Sequence, residues 1–222
     1  MYQGKKLIIF DFDGTLINSV PDLTAATNKM LSKYGLSPLS TEEVTPFIGN
    51  GARALVQRAL AYRLTEKEFA QELLDEALTV YSSAYENAGC NHTYLYSGVL
   101  DTLIYLKAKG YKMAICTNKP YKFIEPILEK LSIKNLFVEW IGEDSLEKKK
   151  PHPMPLLHLV TKTDSTLSNS IMIGDSRNDI LAAQNAKIDS IGVSYGYNYN
   201  ENIRESKPSE VVDNFSELKT LF

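Results

Sequence analysis

The sequence predicts an α/β protein, a doubly wound parallel sheet with a Rossmann-like core, carrying an inserted α-helical cap domain. Three observations lead there. Short apolar runs recur along the 222 residues and are nearly continuous rather than alternating, as in strands buried on both faces. Segments with apolar residues three and four apart lie between them, which is the helical period. One long stretch, from about Asn18 to His92, has helical spacing and no strand, so it interrupts the alternation.

The elements follow in order. Leu7-Ile8-Ile9-Phe10 is the first strand. Within the insertion, Leu23, Ala26, Met30, Leu31 and Tyr34 mark an amphipathic helix ending at Gly35. Ser40 with Glu43, and Thr65 with Glu68, have the spacing of capping boxes. The second should open a long helix through Phe69, Leu73, Ala77, Val80, Tyr81 and Tyr85, and a shorter one spans Ala54 to Ala61. The alternation resumes near Ser97-Gly98. A helix holds Val99, Leu103 and Leu106 and stops at Gly110, and a strand runs from Tyr111 to Cys116. A helix after Pro120 carries Phe123, Ile124, Ile127, Leu128 and Leu131. Strands follow at Phe137 to Ile141, with Trp140 expected in the core, and at Ile171 to Ile173. A short helix holds Ile180, Leu181, Ala183 and Ala186, before strands at Ser190 to Val193 and Val211-Val212. The expected domains are therefore a core of residues 1–16 and 93–222 and a helical cap of residues 17–92. An insertion directly after the first strand would lie over the carboxyl ends of the strands, where open α/β sheets bind ligands, and reads as a lid.

Composition excludes several classes. A net charge of −3 provides no basic field for nucleic acid or anionic membrane, and Lys148-Lys149-Lys150 is the only basic block. Two cysteines do not make a disulfide framework and fit reduced thiols in a cytoplasmic protein. No apolar run approaches the length needed to cross a bilayer, and the N-terminal one is too short for a signal peptide. The expected partner is a small metabolite, with the chain a monomer or a small homo-oligomer.

Four features far apart in the chain fall just after strands: Asp11 with Asp13, Thr117-Asn118, Lys150-Pro151, and Gly174-Asp175 through Asp179. In a parallel sheet such ends share one edge, so the residues can converge there. Their chemistry suits phosphoryl transfer. A carboxylate can attack phosphorus and divide a difficult hydrolysis into two steps. Two anions repel unless cations are supplied, and a hard divalent ion with oxygen ligands, most plausibly Mg²⁺, does this. Asp11 and Asp175 are the candidate metal ligands, with Asp179 in a weaker metal-side or supporting role. Lys150 is the fixed cation, and Thr117 offers a hydroxyl to the phosphoryl oxygens. Asp13 can protonate the leaving oxygen and then deprotonate water. Gly14, Thr15 and Asn118 are candidate substrate-binding residues at the same turns. Each motif also has a plainer reading as turn or helix cap.

These residues resemble the haloacid-dehalogenase-like superfamily, in order and position along nearly the whole chain. The resemblance implies a Mg²⁺-dependent phosphatase with Asp11 as nucleophile and Asp13 as acid/base. Metal would be held by Asp11, Asp175 and the main-chain carbonyl of Asp13. Phe47-Ile48-Gly49-Asn50-Gly51, Thr117-Asn118-Lys119-Pro120 and Tyr195-Gly196-Tyr197-Asn198-Tyr199 are similar more narrowly to bacterial phosphoglycolate phosphatases, although Asn200 stands where that pattern has glycine. That likeness implies hydrolysis of 2-phosphoglycolate. A sugar-phosphate phosphatase, a phosphomutase or a non-catalytic metabolite-binding module are the rivals. In the cap, Gly49, Asn50 and Arg53 have two readings: a loop in which Arg53 grips the substrate carboxylate, or a turn beside a surface arginine.

Overall fold

All four residues of the first strand are fully buried, so it has no solvent face and must lie inside a sheet covered on both sides. A computed structural model, describing residues 2–64 and 70–222, places it there. The strands are β1 (Leu7–Phe10), β2 (Ile17–Asn18), β3 (Tyr94–Leu95), β4 (Lys112–Cys116), β5 (Glu139–Ile141), β6 (Ser170–Gly174), β7 (Asp189–Val193) and β8 (Glu210–Val212). The helices are α1 (Val20–Lys33), α2 (Thr41–Val44), α3 (Ala52–Leu64), α4 (Gln71–Ala88), α5 (Val99–Ala108), α6 (Ile124–Lys130), α7 (Met154–Lys162), α8 (Arg177–Ala186) and α9 (Leu218–Leu221). The chain divides into two units, one of residues up to Asn18 together with Tyr94–Phe222, the other Ser19–Thr93.

The first unit is a six-stranded parallel sheet in the order β5-β4-β1-β6-β7-β8. After β1 the chain builds outward to β4 and β5, then returns past β1 to β6 and builds the other way. The order therefore reverses beside β1, and the crevice at such a switch point is where open sheets hold ligands. Side chains of β1 alternate between the faces. Leu7 and Ile9 join a core cluster with Leu156, Leu159 and Val160 of α7 and Ala182, Ala183 and Ala186 of α8. Phe10 packs edge-on against Phe137, with ring centroids 6.3 Å apart, and against Phe215 at 5.8 Å. The sheet is thus covered on both sides, as the continuous apolar runs required.

Three details differ from the sequence reading. Ile17 pairs antiparallel with Leu95, and Asn18 with Tyr94, in a two-stranded ribbon. Two-residue strands are too short to leave a periodic signal. Trp140 is only half-buried, because β5 is an edge strand. Leu181 points outward from α8, while Ile180 and the alanines face the sheet.

Among its described residues the second unit is all-helical. α1 and α4 pack together and α3 packs against both. The buried residues are Leu23, Ala26, Met30 and Leu31 of α1, and Leu74, Ala77, Tyr81 and Tyr85 of α4. The rings of Tyr81 and Tyr85 stack with an interplanar angle of 11°. Gly89 ends α4 in the left-handed region at φ 60°. The Ser40–Glu43 capping box forms but opens only the four-residue α2, because Pro46 follows at once and the chain tightens into a 3₁₀ turn. Thr65, Glu68 and Phe69 lie outside the described residues; α4 begins at Gln71. Asp22 is buried and accepts from the His92 amide at 3.1 Å and the Thr93 hydroxyl at 2.6 Å, tying the first helix of the unit to its last residues.

Candidate active site

The carboxyl ends of β1, β4 and β6 bring Asp11, Thr117 and Asp175 to one edge of the sheet. Each is the first or second residue after a strand buried on both faces, so its backbone direction is fixed by the ladder behind it. The amide of Asp11 donates to Ile173 O at 2.9 Å and that of Thr117 to Ile141 O at 3.1 Å, extending the sheet by one rung into the site.

Carboxylate oxygens of Asp11, Asp175 and Asp179 lie within 4.8 Å of one another, all buried. Lys150, 3% exposed, places Nζ 2.8 Å from Asp11 Oδ1 and 2.6 Å from Asp179 Oδ1. Three buried carboxylates against one ammonium leave two negative charges in excess. Burial, then the charge of Asp179, pushes the Asp11 carboxyl well above the usual range, with Lys150 opposing. Burial and Asp179 likewise raise Asp175 to about 7. Burial favours the neutral form of Lys150, but Asp11 and Asp179 outweigh it and the side chain stays an ammonium. Burial pushes the thiol of Cys116, at the end of β4, up to about 12, which keeps it protonated and inert. An all-oxygen donor set with this excess charge fits a hard divalent cation.

The surroundings of Asp175 are built to hold it still. Thr15 donates its hydroxyl to Oδ1 at 2.8 Å and the Tyr197 amide donates to Oδ2 at 2.8 Å. Gly14 lies against the same carboxyl at φ +94°; a Cβ there would stand 2.7 Å from Asp175 Cγ. Gly196 approaches from the opposite loop, where a Cβ would overlap Asp175 itself. A Cβ on Gly174 would overlap Asp179. Only glycine fits these positions without moving a carboxylate.

Asp179 receives the Ser176 amide and hydroxyl on Oδ2, at 3.0 and 2.7 Å, so it closes a capping box at the start of α8 while its other oxygen meets Lys150. Both its oxygens are engaged, which makes it a support for Lys150 and Ser176 as much as a ligand. The candidate substrate-binding residues Gly14, Thr15 and Asn118 have hydrogen-bond partners within the protein. Thr15 turns its hydroxyl to Asp175, and the amides of Gly14 and Thr15 bond to Ile17 O and Phe12 O within the loop. In this structure the two residues shape the loop, and Thr15 holds a carboxylate. Asn118 donates its side-chain amide to Lys150 O at 3.0 Å, so it fixes the lysine's backbone.

Asp13 stands apart from the three-carboxylate group. Its oxygens are 3.0 and 3.2 Å from Nζ of Lys119, a buried lysine to which sequence reading gave no role. Its signal was its place two residues past Thr117, whose Oγ1 accepts the Lys119 amide at 3.1 Å. The Tyr195–Tyr199 loop, singled out in the sequence only for its resemblance, also serves the site. Besides the Tyr197 amide, it sends Tyr195 OH to Thr15 O at 2.8 Å and places Asn198 Oδ1 to cap the Arg177 amide at 2.9 Å. Asn178 donates to Tyr199 OH at 2.8 Å.

The remaining three candidates belong to the helical unit. Arg53 pairs with Asp75 at 2.7 Å, both side chains largely exposed. Asn50 Oδ1 accepts from Arg58 at 2.6 Å, and Arg58 also reaches Phe47 O at 2.8 Å. Gly49 and Gly51 take φ of 108° and 88°, and α3 begins at Ala52. Within this unit Arg58 is the clamp of the loop, and the guanidinium of Arg53 is engaged by α4.

Fold and site together define an α/β enzyme with a buried cluster of acidic residues at the switch point of a parallel sheet. The chain belongs to the haloacid dehalogenase-like hydrolase family, whose profile matches residues 8–193. It is 47% identical over 218 residues to a phosphoglycolate phosphatase of Psychrobacter arcticus, covering 97% of this chain and 95% of that one. It is 43% identical to one of Colwellia psychrerythraea, covering 97% and 96%. The crystal structure of a predicted phosphoglycolate phosphatase from Haemophilus somnus matches with a TM-score of 0.93 at 40% identity, covering 98% of both chains. Among the described residues no helix is long and apolar enough to cross a membrane.

Proposed function

We propose that this chain is a Mg²⁺-dependent phosphomonoester hydrolase that converts 2-phosphoglycolate to glycolate and phosphate through an aspartyl-phosphate on Asp11. The observation that carries the reading is the convergence of Asp11 after β1, Asp175 after β6 and Asp179 in the first turn of α8 around an excess of negative charge, with Lys150 touching Asp11. The choice of substrate is supported by the names of relatives 40–47% identical over nearly the full chain. A small anionic metabolite as partner and a cytoplasmic location go with it. Residues 17–92 are assigned as the cap of the family.

An Asp11 carboxylate oxygen attacks phosphorus; the P–O bond to aspartate forms as the ester P–O bond breaks. Asp13, two residues on, donates a proton to the leaving oxygen, then takes one from the water that attacks phosphorus and releases phosphate. Lys150 neutralises charge beside the attacking oxygen. The Thr117 hydroxyl accepts from the Lys119 amide, which aims its proton away from that amide and toward the phosphoryl oxygens. Mg²⁺ on Asp11 and Asp175 would screen the meeting of two anions. Release of phosphate from 2-phosphoglycolate should require Mg²⁺ and vanish in Asp11→Asn. Asp13→Asn should slow turnover and let phosphorylated enzyme accumulate. Mg²⁺-independent release, or full turnover in Asp11→Asn, would remove the reading.

A further inference from the structure

We infer that Lys119 is the specificity-determining residue of this site: its ammonium receives an anionic group borne on the carbon next to the leaving oxygen, and so selects phosphate esters of α-hydroxy acids. The inference deepens the phosphoglycolate reading and rests on it.

Lys119 follows a strand end, a place where lysine side chains ordinarily reach solvent. Here the side chain is 3% exposed and reaches both oxygens of Asp13. Its backbone is fixed on both sides. The amide donates to Thr117 Oγ1 at 3.1 Å and the carbonyl accepts from Glu143 N at 3.0 Å. Gly142 packs so closely that a Cβ there would stand 2.6 Å from Lys119 O. A long side chain held in this way has lost its rotamer freedom before any ligand arrives, which is what a recognition group requires.

The geometry then limits what lies beside it. To protonate the leaving oxygen, Asp13 must come within about 2.6–3.2 Å of that atom. Lys119 Nζ is 3.0 Å from Asp13 Oδ1, so the ammonium lies one carboxyl group away from the leaving oxygen. In 2-phosphoglycolate the carboxylate carbon is two bonds from that same oxygen. A carboxylate so placed falls within reach of Nζ, and charge-assisted pairing with it is short and strong. An ester with no such group offers the ammonium no anionic partner on the substrate. Arg53, the sequence's candidate for this task, is engaged by Asp75 and exposed, where an ion pair is worth little.

The test compares 2-phosphoglycolate with its neutral carboxamide, 2-phosphoglycolamide, and with ethyl phosphate, on wild type, Lys119→Met and Lys119→Gln. Wild type should favour the carboxylate substrate over the amide in kcat/KM by on the order of 10²-fold. Each variant should lose a similar factor on 2-phosphoglycolate, mostly through KM. The carboxylate-to-amide ratio should collapse toward one, and ethyl phosphate should lose much less. The cycle isolates the pairing of one charge with the other. A wild-type preference that persists undiminished in a folded variant would overturn the role of Lys119 and leave the phosphatase reading standing. Wild type that does not distinguish carboxylate from amide would overturn the inference with no variant needed. Wild type that hydrolyses ethyl phosphate but not 2-phosphoglycolate would sink both. Should neither variant fold, competitive inhibition of wild type by glycolate against glycolamide reads the same contact, with glycolate expected tighter by a similar factor and equal inhibition counting against the inference.

Discussion

Gly196→Ala should weaken Mg²⁺ binding without unfolding the protein. The new Cβ would overlap Asp175 Cβ, whereas unstrained carbon–carbon contacts sit near 3.5–4.0 Å, so one partner must yield by well over ~1 Å. The Gly196 backbone has little room to move. Its neighbour Tyr197 gives its amide to Asp175, Tyr195 is tied to Thr15, and Asn198 is tied to Arg177. The carboxylate therefore yields, and with it the hydrogen bonds from Thr15 and Tyr197, each 2.8 Å long. Loss of such outer support for a metal ligand typically costs 10–100-fold in affinity or activity. Calorimetric titration of metal-free protein with Mg²⁺ should show a rise in Kd of about that size, and kcat/KM at limiting Mg²⁺ should fall in parallel. Wild-type affinity in a folded Gly196→Ala variant would refute the idea that this loop holds Asp175.

Metal-free protein should lose stability as pH rises. Asp175 takes up its proton near about 7 when folded and near 3.8 when unfolded, so between those values the folded state binds more protons. The stability is complete below the lower value and lost above the upper one, an effect of at most about 4 kcal/mol. Urea midpoints with a chelator present should fall from pH 5 to pH 8, and Mg²⁺ should flatten the trend; a midpoint rising with pH contradicts this. Asp22→Ala leaves the buried Thr93 hydroxyl and the part-buried His92 amide of the helical unit without their acceptor, and should cost about 1–3 kcal/mol in urea denaturation. Phe10→Ala empties the space between Phe137 and Phe215 and should cost about 3–5 kcal/mol by the same measurement. Arg53→Ala should change KM for 2-phosphoglycolate and for p-nitrophenyl phosphate alike and by less than about 3-fold, since it removes an exposed pair; a selective rise for 2-phosphoglycolate would restore the carboxylate to Arg53.

The four inner strands, β1, β4, β6 and β7, were legible in the chain because each is buried on both faces over nearly its whole length, and burial on both faces forces an unbroken apolar run. Asp11, Thr117, Lys150 and Asp175 were legible for a related reason. Asp11, Thr117 and Asp175 each directly follow such a run, and Lys150 lies in the loop between β5 and α7; in a parallel sheet sequence position then dictates the edge at which a side chain emerges. What the chain could not show were contacts between segments that carry no periodic signal. The β2–β3 ribbon joins residues 76 positions apart, as in the bond from Asn18 to Tyr94. Lys119 read as one more polar loop residue until the fold laid it on Asp13, and Gly196 became necessary only when its loop came to rest against Asp175. Nothing in the local pattern around Thr15 showed the carboxylate 160 positions away to which the fold ties it. Local pattern determined which residues leave the strands and at which edge. Only three-dimensional packing decided which charges meet there, because the pairing of buried charges depends on ångström distances between loops that the sequence places far apart.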